Sequence, residues 1–241
     1  MIDSHCHLDL AAFDADHEAV LARAAAAGVE GILVPAIRPA TWDRVRALAG
    51  GPVRIALGIH PQIVPELAPG ERALTAEALA RAARDAGALA IGECGLDGAT
   101  GERELQEELL RIHVRAARLA QLPLVVHVLR AHDVGGVMHS YSGGADLVPV
   151  YRDLGFAFSF AGPVTYANAR RPLEAVRAVP AELLLVETDA PDQAPASHRG
   201  GRSEPAFVVE IVAAIAVATG RADIAAVTAA NARRVLAWPT P

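Results

Sequence analysis

The sequence predicts a (β/α)8 TIM barrel in a single domain covering residues 1–241. Eight short apolar runs recur along the chain, longer stretches with the apolar spacing of helices lie between most of them, and the length of 241 residues is close to the roughly 250 that one barrel needs. Near-continuous apolar strands that alternate with helices indicate a parallel sheet covered on its outer face. Eight strands favour a closed barrel over an open sheet.

The predicted elements alternate in order, and two helical stretches close the chain. The runs predicted as strands are Met1–His7, Gly31–Ile37, Val53–His60, Ala88–Cys94, Leu122–Leu129, Gly136–Ser140, Phe156–Ala161 and Leu183–Asp189. The stretches predicted as helices are Ala15–Ala27, Thr41–Ala49, Thr75–Ala86, Glu102–Ala120, Ala145–Leu154, Ala167–Val179, Pro205–Thr219 and Ala222–Leu236.

One connection is shorter than the fold requires. Residues 128–138, eleven in all, separate His127 from His139. A parallel crossover with its helix needs a dozen or more residues of its own. We therefore expect either a barrel that lacks one helix or a segment missing between Asp133 and Val134. We favour the second, because Arg130–Asp133 resembles the start of a helix that is cut short.

Composition excludes several kinds of chemistry. All 22 basic residues are arginine, so a Schiff-base lysine, a pyridoxal phosphate lysine and a carboxylated lysine that bridges two metals are excluded. The formal net charge is −6, without a basic block. A nucleic acid partner would therefore be held by the local charge of a site rather than by a broad cationic surface.

The cysteines, the apolar runs and the first residues indicate the environment in which the protein works. The chain has two cysteines and no apolar run long enough to span a bilayer, and its first residues lack the pattern of a secretory signal. We expect a cytoplasmic monomer that does not bind membranes. Cys6 and Cys94 are interpreted as small core residues, and His17 and His113 as surface or interface residues within helices.

The predicted strands end in side chains that can bind metals. The carboxyl ends of all strands of a barrel meet at one face, where catalytic residues gather. A single strand-end histidine or carboxylate is often only a hydrogen-bonding group or a salt-bridge partner. Five strands that supply such groups to one face indicate a metal site. The side chains concerned are His5, His7, Glu93, His127, His139 and Asp189.

The number and kind of these side chains favour two ions. Side chains alternate along a strand, so His5 and His7 point to the same side and Cys6 to the other. Four imidazoles and two carboxylates exceed what one tetrahedral ion takes, and suit two divalent ions bridged by a carboxylate. Imidazole-rich ligation favours zinc or manganese, and magnesium is the third candidate.

Five short motifs occur in order along the chain: Asp3–Asp9, Gly58–Pro61, Gly92–Asp97, His139–Gly143 and Glu187–Pro191. Together they resemble the signatures of the TatD family of metal-dependent deoxyribonucleases, and the likeness continues to Asn231–Arg234. The resemblance implies a barrel of the amidohydrolase superfamily and hydrolysis of phosphodiester bonds in DNA, often as a 3′-to-5′ exonuclease. It also implies two divalent ions held by the six strand-end side chains, with Glu93 as the bridge.

Roles for further residues follow from their positions. We expect a water activated by two metals to attack phosphorus in line, with Asp189 as general base. Glu187 is expected to orient a metal ligand by hydrogen bonding. The candidates for holding the phosphate are His60, Arg130, Ser140 and Ser142, with His60 as a substrate contact or a support for a ligand rather than a ligand itself.

Two alternatives to phosphodiester hydrolysis stay open at this point. The same ions could polarise the reacting oxygen of a small ester, amide, lactone or phosphotriester, because fold does not determine substrate. A metal-binding scaffold without activity is the third possibility, and the complete set of ligands argues against it.

Overall fold

The eight strands form one parallel sheet in sequence order. The computed structural model describes residues 1–127 and 135–239. Each strand pairs in parallel with the next along the chain. In order, β1 to β8 are Ile2–Asp3, Gly31–Pro35, Val53–Leu57, Ala90–Cys94, Leu124–Val126, Gly136–Met138, Phe156–Phe160 and Leu184–Val186. All eight predicted strands are present, and each is shorter than predicted.

The segments that follow β1 and β8 close the barrel. Cys6 forms a parallel bridge with Ala190, the Asp189 amide donates to the His5 carbonyl at 2.9 Å, and the His7 amide donates to the Ala190 carbonyl at 2.7 Å. The predicted single-domain (β/α)8 barrel is therefore confirmed. This closure also brings His5, His7 and Asp189 together.

Helices cover the outside of the sheet. In order, α1 to α9 are His17–Ala26, Trp42–Leu48, Pro69–Arg72, Ala76–Asp85, Arg103–Ala120, Val148–Asp153, Arg170–Ala178, Val208–Thr219 and Ile224–Val235. The single turn α3 is additional to the predicted helices, and short 3₁₀ turns precede several others. Local chemistry sets some of the ends: Thr75 Oγ1 accepts from the Ala78 amide at the start of α4, and Gly220, with φ of 70°, ends α8.

Both faces of the strands are buried. One apolar cluster takes a residue from each strand, for example Ile2, Leu33 and Val125, together with residues of α9 and Trp238. Alternate strand residues such as Ile32 and Val126 belong to the larger cluster between sheet and helices. This two-sided burial explains why the strands are continuous apolar runs. None of the described helices is long and apolar enough to cross a bilayer.

Two features predicted from the sequence fall in residues 128–134, outside the described residues. They are Arg130, a candidate for holding the phosphate, and the junction of Asp133 and Val134, where we expect a missing segment. Both stay predictions.

Candidate metal centre

The six predicted ligands converge at the carboxyl ends of the strands. Glu93 lies in the middle of the cluster, is fully buried and directs its two carboxylate oxygens toward different histidines. Oε2 lies 3.0 Å from His5 Nε2 and 3.5 Å from His7 Nε2. Oε1 lies 2.6 Å from His139 Nε2 and 3.2 Å from His127 Nδ1.

A bulge in β4 turns Glu93 toward this centre. The register with β5 shifts between Ile91 and Cys94, and both of those side chains belong to the cluster that faces the helices. Gly92 has φ of 141°, and a Cβ there would lie 2.4 Å from the Val125 carbonyl oxygen, so this close approach requires glycine. Cys94 is buried, as expected of a core residue.

Asp189 completes the cluster from the end of β8. Its Oδ1 lies 3.6 Å from His5 Nε2 and 3.8 Å from His7 Nε2. Three groups of side chains bring ligand atoms within 4.8 Å of one another. They are His5 with His139 and Asp189, His5 with His7 and Glu93, and His60 with Glu93 and His127.

The cluster fits divalent cations. Both oxygens of Glu93 are buried, and although imidazole nitrogens lie close to them, none of the described residues donates a hydrogen bond of good geometry to either oxygen. A buried carboxylate without hydrogen bonds is costly unless positive charge compensates it. Five imidazole rings surround this carboxylate, and they provide the nitrogen ligands that zinc and similar ions accept. The residues that would hold the ions are therefore His5, His7, Glu93, His127, His139 and Asp189.

Hydrogen bonds place His7 and His60 in different tautomers. The Nδ1 atom of His7 lies 3.2 Å from the Pro35 carbonyl oxygen, which can only accept, so Nδ1 carries the proton and Nε2 presents a lone pair to the cluster. In His60, Nδ1 accepts from the Gln62 amide at 3.1 Å, so in the neutral ring the proton is on Nε2, 3.0 Å from Glu93 Oε1. His7 is thus prepared to bind a cation, whereas the neutral His60 ring has no lone pair on the nitrogen that faces Glu93.

Burial and neighbouring charge shift the pKa values of the cluster. Burial, together with the positive potential of His5, lowers the pKa of His7 to about 3, so this ring is neutral and able to ligate. Burial opposes ionisation of Glu93, but the surrounding histidines, His139 first, outweigh it and hold the Glu93 pKa well below its usual range. Burial raises the pKa of Asp189.

Asp3 is a supporting residue to which sequence analysis gave no role. It is fully buried and accepts from the Thr188 amide at 2.9 Å, from the Thr188 hydroxyl at 2.5 Å and from the His5 amide at 3.3 Å. Burial raises its pKa to about 8. Asp3 therefore ties the segment carrying His5 to the segment carrying Asp189. Its position two residues before His5 was the available signal.

The remaining predicted residues lie at different distances from the cluster, and Ser142 lies outside the cavity. Glu187 is fully buried, accepts from the Ser140 amide and has Oε1 3.7 Å from His139 Nδ1, a placement in keeping with an orienting role. His60 lines the open cavity above the cluster. Ser140 contacts Gln193, whereas Ser142 is exposed and is not among the described residues that line the cavity.

The interpretation of His113 as a surface or interface residue is wrong. This side chain is fully buried in α5. Its Nδ1 donates to the Leu109 carbonyl at 2.7 Å, and its Nε2 accepts from the Ile59 amide at 2.9 Å. Leu109, Leu110, Val114 and Ala117 share the buried face of α5, and their helical spacing includes position 113. That spacing was the signal for burial.

The fold and the ligand cluster together define a class, the barrel hydrolases that depend on metal ions. The family model described as TatD related DNase matches residues 2–237, and the chain belongs to the TatD family of metal-dependent hydrolases. The chain is 34% identical over 230 residues to the uncharacterized metal-dependent hydrolase YjjV of Escherichia coli (strain K12), covering 89% of this chain and 88% of the relative.

Two further comparisons agree with this assignment. The chain is 32% identical over 240 residues to the 3′-5′ ssDNA/RNA exonuclease TatD of Klebsiella pneumoniae (strain 342), covering 90% of this chain and 89% of the relative. The crystal structure of the TatD homologue YjjV from Escherichia coli K12 superposes with a TM-score of 0.88 at 31% identity, over 99% of this chain and 98% of that one.

Proposed function

We propose that this protein hydrolyses phosphodiester bonds at the ends of short single-stranded DNA, using two divalent metal ions bridged by Glu93. The observation that carries the proposal is the division of the Glu93 carboxylate, one oxygen toward His5 and His7 and the other toward His127 and His139. Two bound ions would activate water and stabilise charge on the phosphoryl oxygens.

The chain's own residues position the reactants. His7 is held in its ligating tautomer by the Pro35 carbonyl, and Glu187 lies where it can orient His139. Asp189, whose pKa burial raises, has Oδ1 directed at the cluster and is the group we assign to take the proton from the attacking water. The barrel holds these groups on separate strand ends, so they need little rearrangement during the reaction.

The cavity above the cluster supports a substrate engaged through one phosphate. Its volume is about 580 Å³, within the range of small-ligand sites. Two divalent cations held there would outweigh the charges of Glu93 and Asp189, and the residual charge near +2 would attract a phosphate. Glu66 and Asp192 also line the cavity, so further phosphates would meet negative charge there. Positive charge at the centre and negative charge around it favour the end of a DNA strand over a long DNA duplex. The related exonuclease of Klebsiella pneumoniae gives the proposal a precedent.

A substrate comparison tests the proposal. Protein purified without chelator is assayed on a 5′-labelled single-stranded oligonucleotide, on bis-p-nitrophenyl phosphate and on p-nitrophenyl acetate, before and after EDTA and after zinc or manganese is restored. Asp189→Asn protein prepared in parallel detects contaminating nuclease. We expect a ladder of shortened DNA that EDTA abolishes and metal restores. Turnover of the acetate ester alone would instead support hydrolysis of small carboxylic esters.

A further inference from the structure

The side chain of Gln193 reaches from the loop after β8 to two residues near the metal centre. Its Nε2 donates to Asp189 Oδ2 and lies 2.6 Å from Ser140 Oγ, and its Oε1 lies 2.9 Å from the same hydroxyl. Gln193 also lines the cavity. From this contact we infer that Gln193 is a positioning residue, which holds Asp189 with Oδ1 turned toward the histidines. The inference rests on the proposed function.

The orientation of the Asp189 carboxylate requires such a partner. The Asp189 amide donates a hydrogen bond to the His5 carbonyl, which holds the backbone but leaves the carboxylate free to rotate. Because Gln193 occupies Oδ2, Oδ1 is the oxygen that faces His5 and His7. The carboxamide thus distinguishes two oxygens that are otherwise equivalent.

The backbone around Gln193 is built to hold this side chain in place. The loop after β7 packs so closely that a Cβ on Gly162 would lie 1.9 Å from the Gln193 carbonyl oxygen. Tyr166 Oη donates to the Ala194 carbonyl at 2.9 Å, and the Ala196 amide donates to Thr165 Oγ1 at 2.8 Å. These contacts hold the segment of Gln193 against the loop after β7, so the side chain reaches Asp189 from a backbone that is already ordered.

Backbone strain is concentrated in the same group. Ser140, Asp189 and Gln193 have φ of 44°, 50° and 48°, in the left-handed region that residues other than glycine seldom adopt. Such conformations persist where the surrounding structure imposes them, and they cluster at functional sites. The contact connects both sides of the centre, since the Ser140 amide donates to Glu187, which lies beside His139.

Two substitutions separate positioning from packing. Gln193→Met keeps the length of the side chain but removes the donor, and Gln193→Glu keeps its shape but places an acceptor against Asp189. Gln121→Met is the matched control, because Gln121 is exposed, has φ of 57° and lies at the end of α5, before β5 and away from the strands' carboxyl ends.

The first readout is metal affinity, which does not depend on turnover. Zinc or manganese is titrated in competition with a chromophoric chelator. We expect about 10- to 100-fold weaker binding in both Gln193 variants and wild-type binding in Gln121→Met, the range seen when a group that orients a metal ligand is lost. Wild-type affinity in Gln193→Glu would overturn the inference, because shape alone would then suffice.

The second readout separates positioning from substrate contact. With bis-p-nitrophenyl phosphate, we expect kcat to fall about tenfold or more in both variants while KM changes less than about threefold. A rise in KM at unchanged kcat would overturn the inference and make Gln193 a substrate contact. If the wild-type protein hydrolyses no phosphodiester, the proposed function fails, and the affinity titration still decides the role of Gln193.

Discussion

The Nε2 atom of His139 lies 2.6 Å from Oε1 of Glu93, and both side chains are almost completely buried. Burial would lower the pKa of His139, but the neighbouring carboxylates of Glu93 and Glu187 together outweigh it and raise that pKa well above its usual value. So short a separation deep in a protein is stable only when opposite charges or a shared cation compensate each other. The relationship makes Glu93 the first residue to test.

Glu93→Gln should remove the bridge while keeping the volume of the side chain. We expect metal affinity to fall at least about 100-fold, because the substitution removes a ligand charge rather than only a group that orients a ligand. The metal-free variant should unfold at a lower temperature at pH 7, because the substitution removes the carboxylate that compensates His139 in the buried pair. Competition titration and thermal unfolding in EDTA measure the two quantities. Two ions bound with wild-type affinity would show that Glu93 is not a bridge.

Asp189→Asn should keep the fold and lose turnover even at saturating metal concentration, although it binds metal more weakly because the charge of one ligand is gone. The amide has nearly the shape of the carboxylate and can still lie beside Gln193, but it cannot accept a proton. We expect kcat to fall at least about 100-fold, the usual contribution of a general base. Steady-state kinetics on bis-p-nitrophenyl phosphate, with metal content measured on the same samples, provides the check. A variant with full metal content and an unchanged rate contradicts the assignment.

His7→Ala and His60→Ala should have different effects, although both rings lie near Glu93. His7 presents a lone pair, so its loss should lower the number of ions bound per chain. His60 presents its Nε2 proton to Glu93, so its loss should leave the ion number unchanged and raise KM about tenfold. Elemental analysis and kinetics on the two purified variants measure these effects. Loss of an ion from His60→Ala would make His60 a ligand.

His113→Phe should change how stability depends on pH. Burial lowers the pKa of His113 from 6.5 to about 4, so the folded protein keeps this ring neutral while the unfolded chain protonates it. The neutral ring's contribution to the free energy of unfolding is fully present above pH 6.5. It is lost as the pH falls toward 4, and the loss reaches about 3 kcal/mol. The variant should lack this dependence and, because the Ile59 amide loses its acceptor, be about 1–3 kcal/mol less stable at pH 7.

Denaturant unfolding at several pH values, in EDTA, tests this prediction. The difference in free energy of unfolding between wild type and His113→Phe should shrink as the pH falls from 7 to 4. If the free energies of unfolding of the two proteins changed with pH in parallel, His113 would have the same pKa in the folded and unfolded chain, which contradicts the prediction.

The sequence predicted the barrel well because its signal is local. Each strand is an apolar run and each main helix has an apolar face, so existence and order follow from neighbouring residues. The strand-end rule then placed His5, His7, Glu93 and Asp189 at one face before any contact was known. The single turn α3 escaped detection, because four residues carry no periodicity.

What the sequence did not predict depends on tertiary contacts. The link from Gln193 to Asp189 requires a left-handed backbone at both residues and a close approach of Gly162, and no spacing pattern encodes these. The tautomers of His7 and His60 depend on the Pro35 carbonyl and the Gln62 amide, which only the folded chain brings into contact. His113 differs, because the apolar face of α5 already includes it.

Anomalous X-ray diffraction from crystals grown with zinc or manganese tests the bridged pair of ions most directly. The account predicts two peaks, one beside each carboxylate oxygen of Glu93 and roughly 3.5–4 Å apart, with His5 and His7 at one and His127 and His139 at the other. A single peak, or peaks that leave Glu93 without a metal contact, would contradict it.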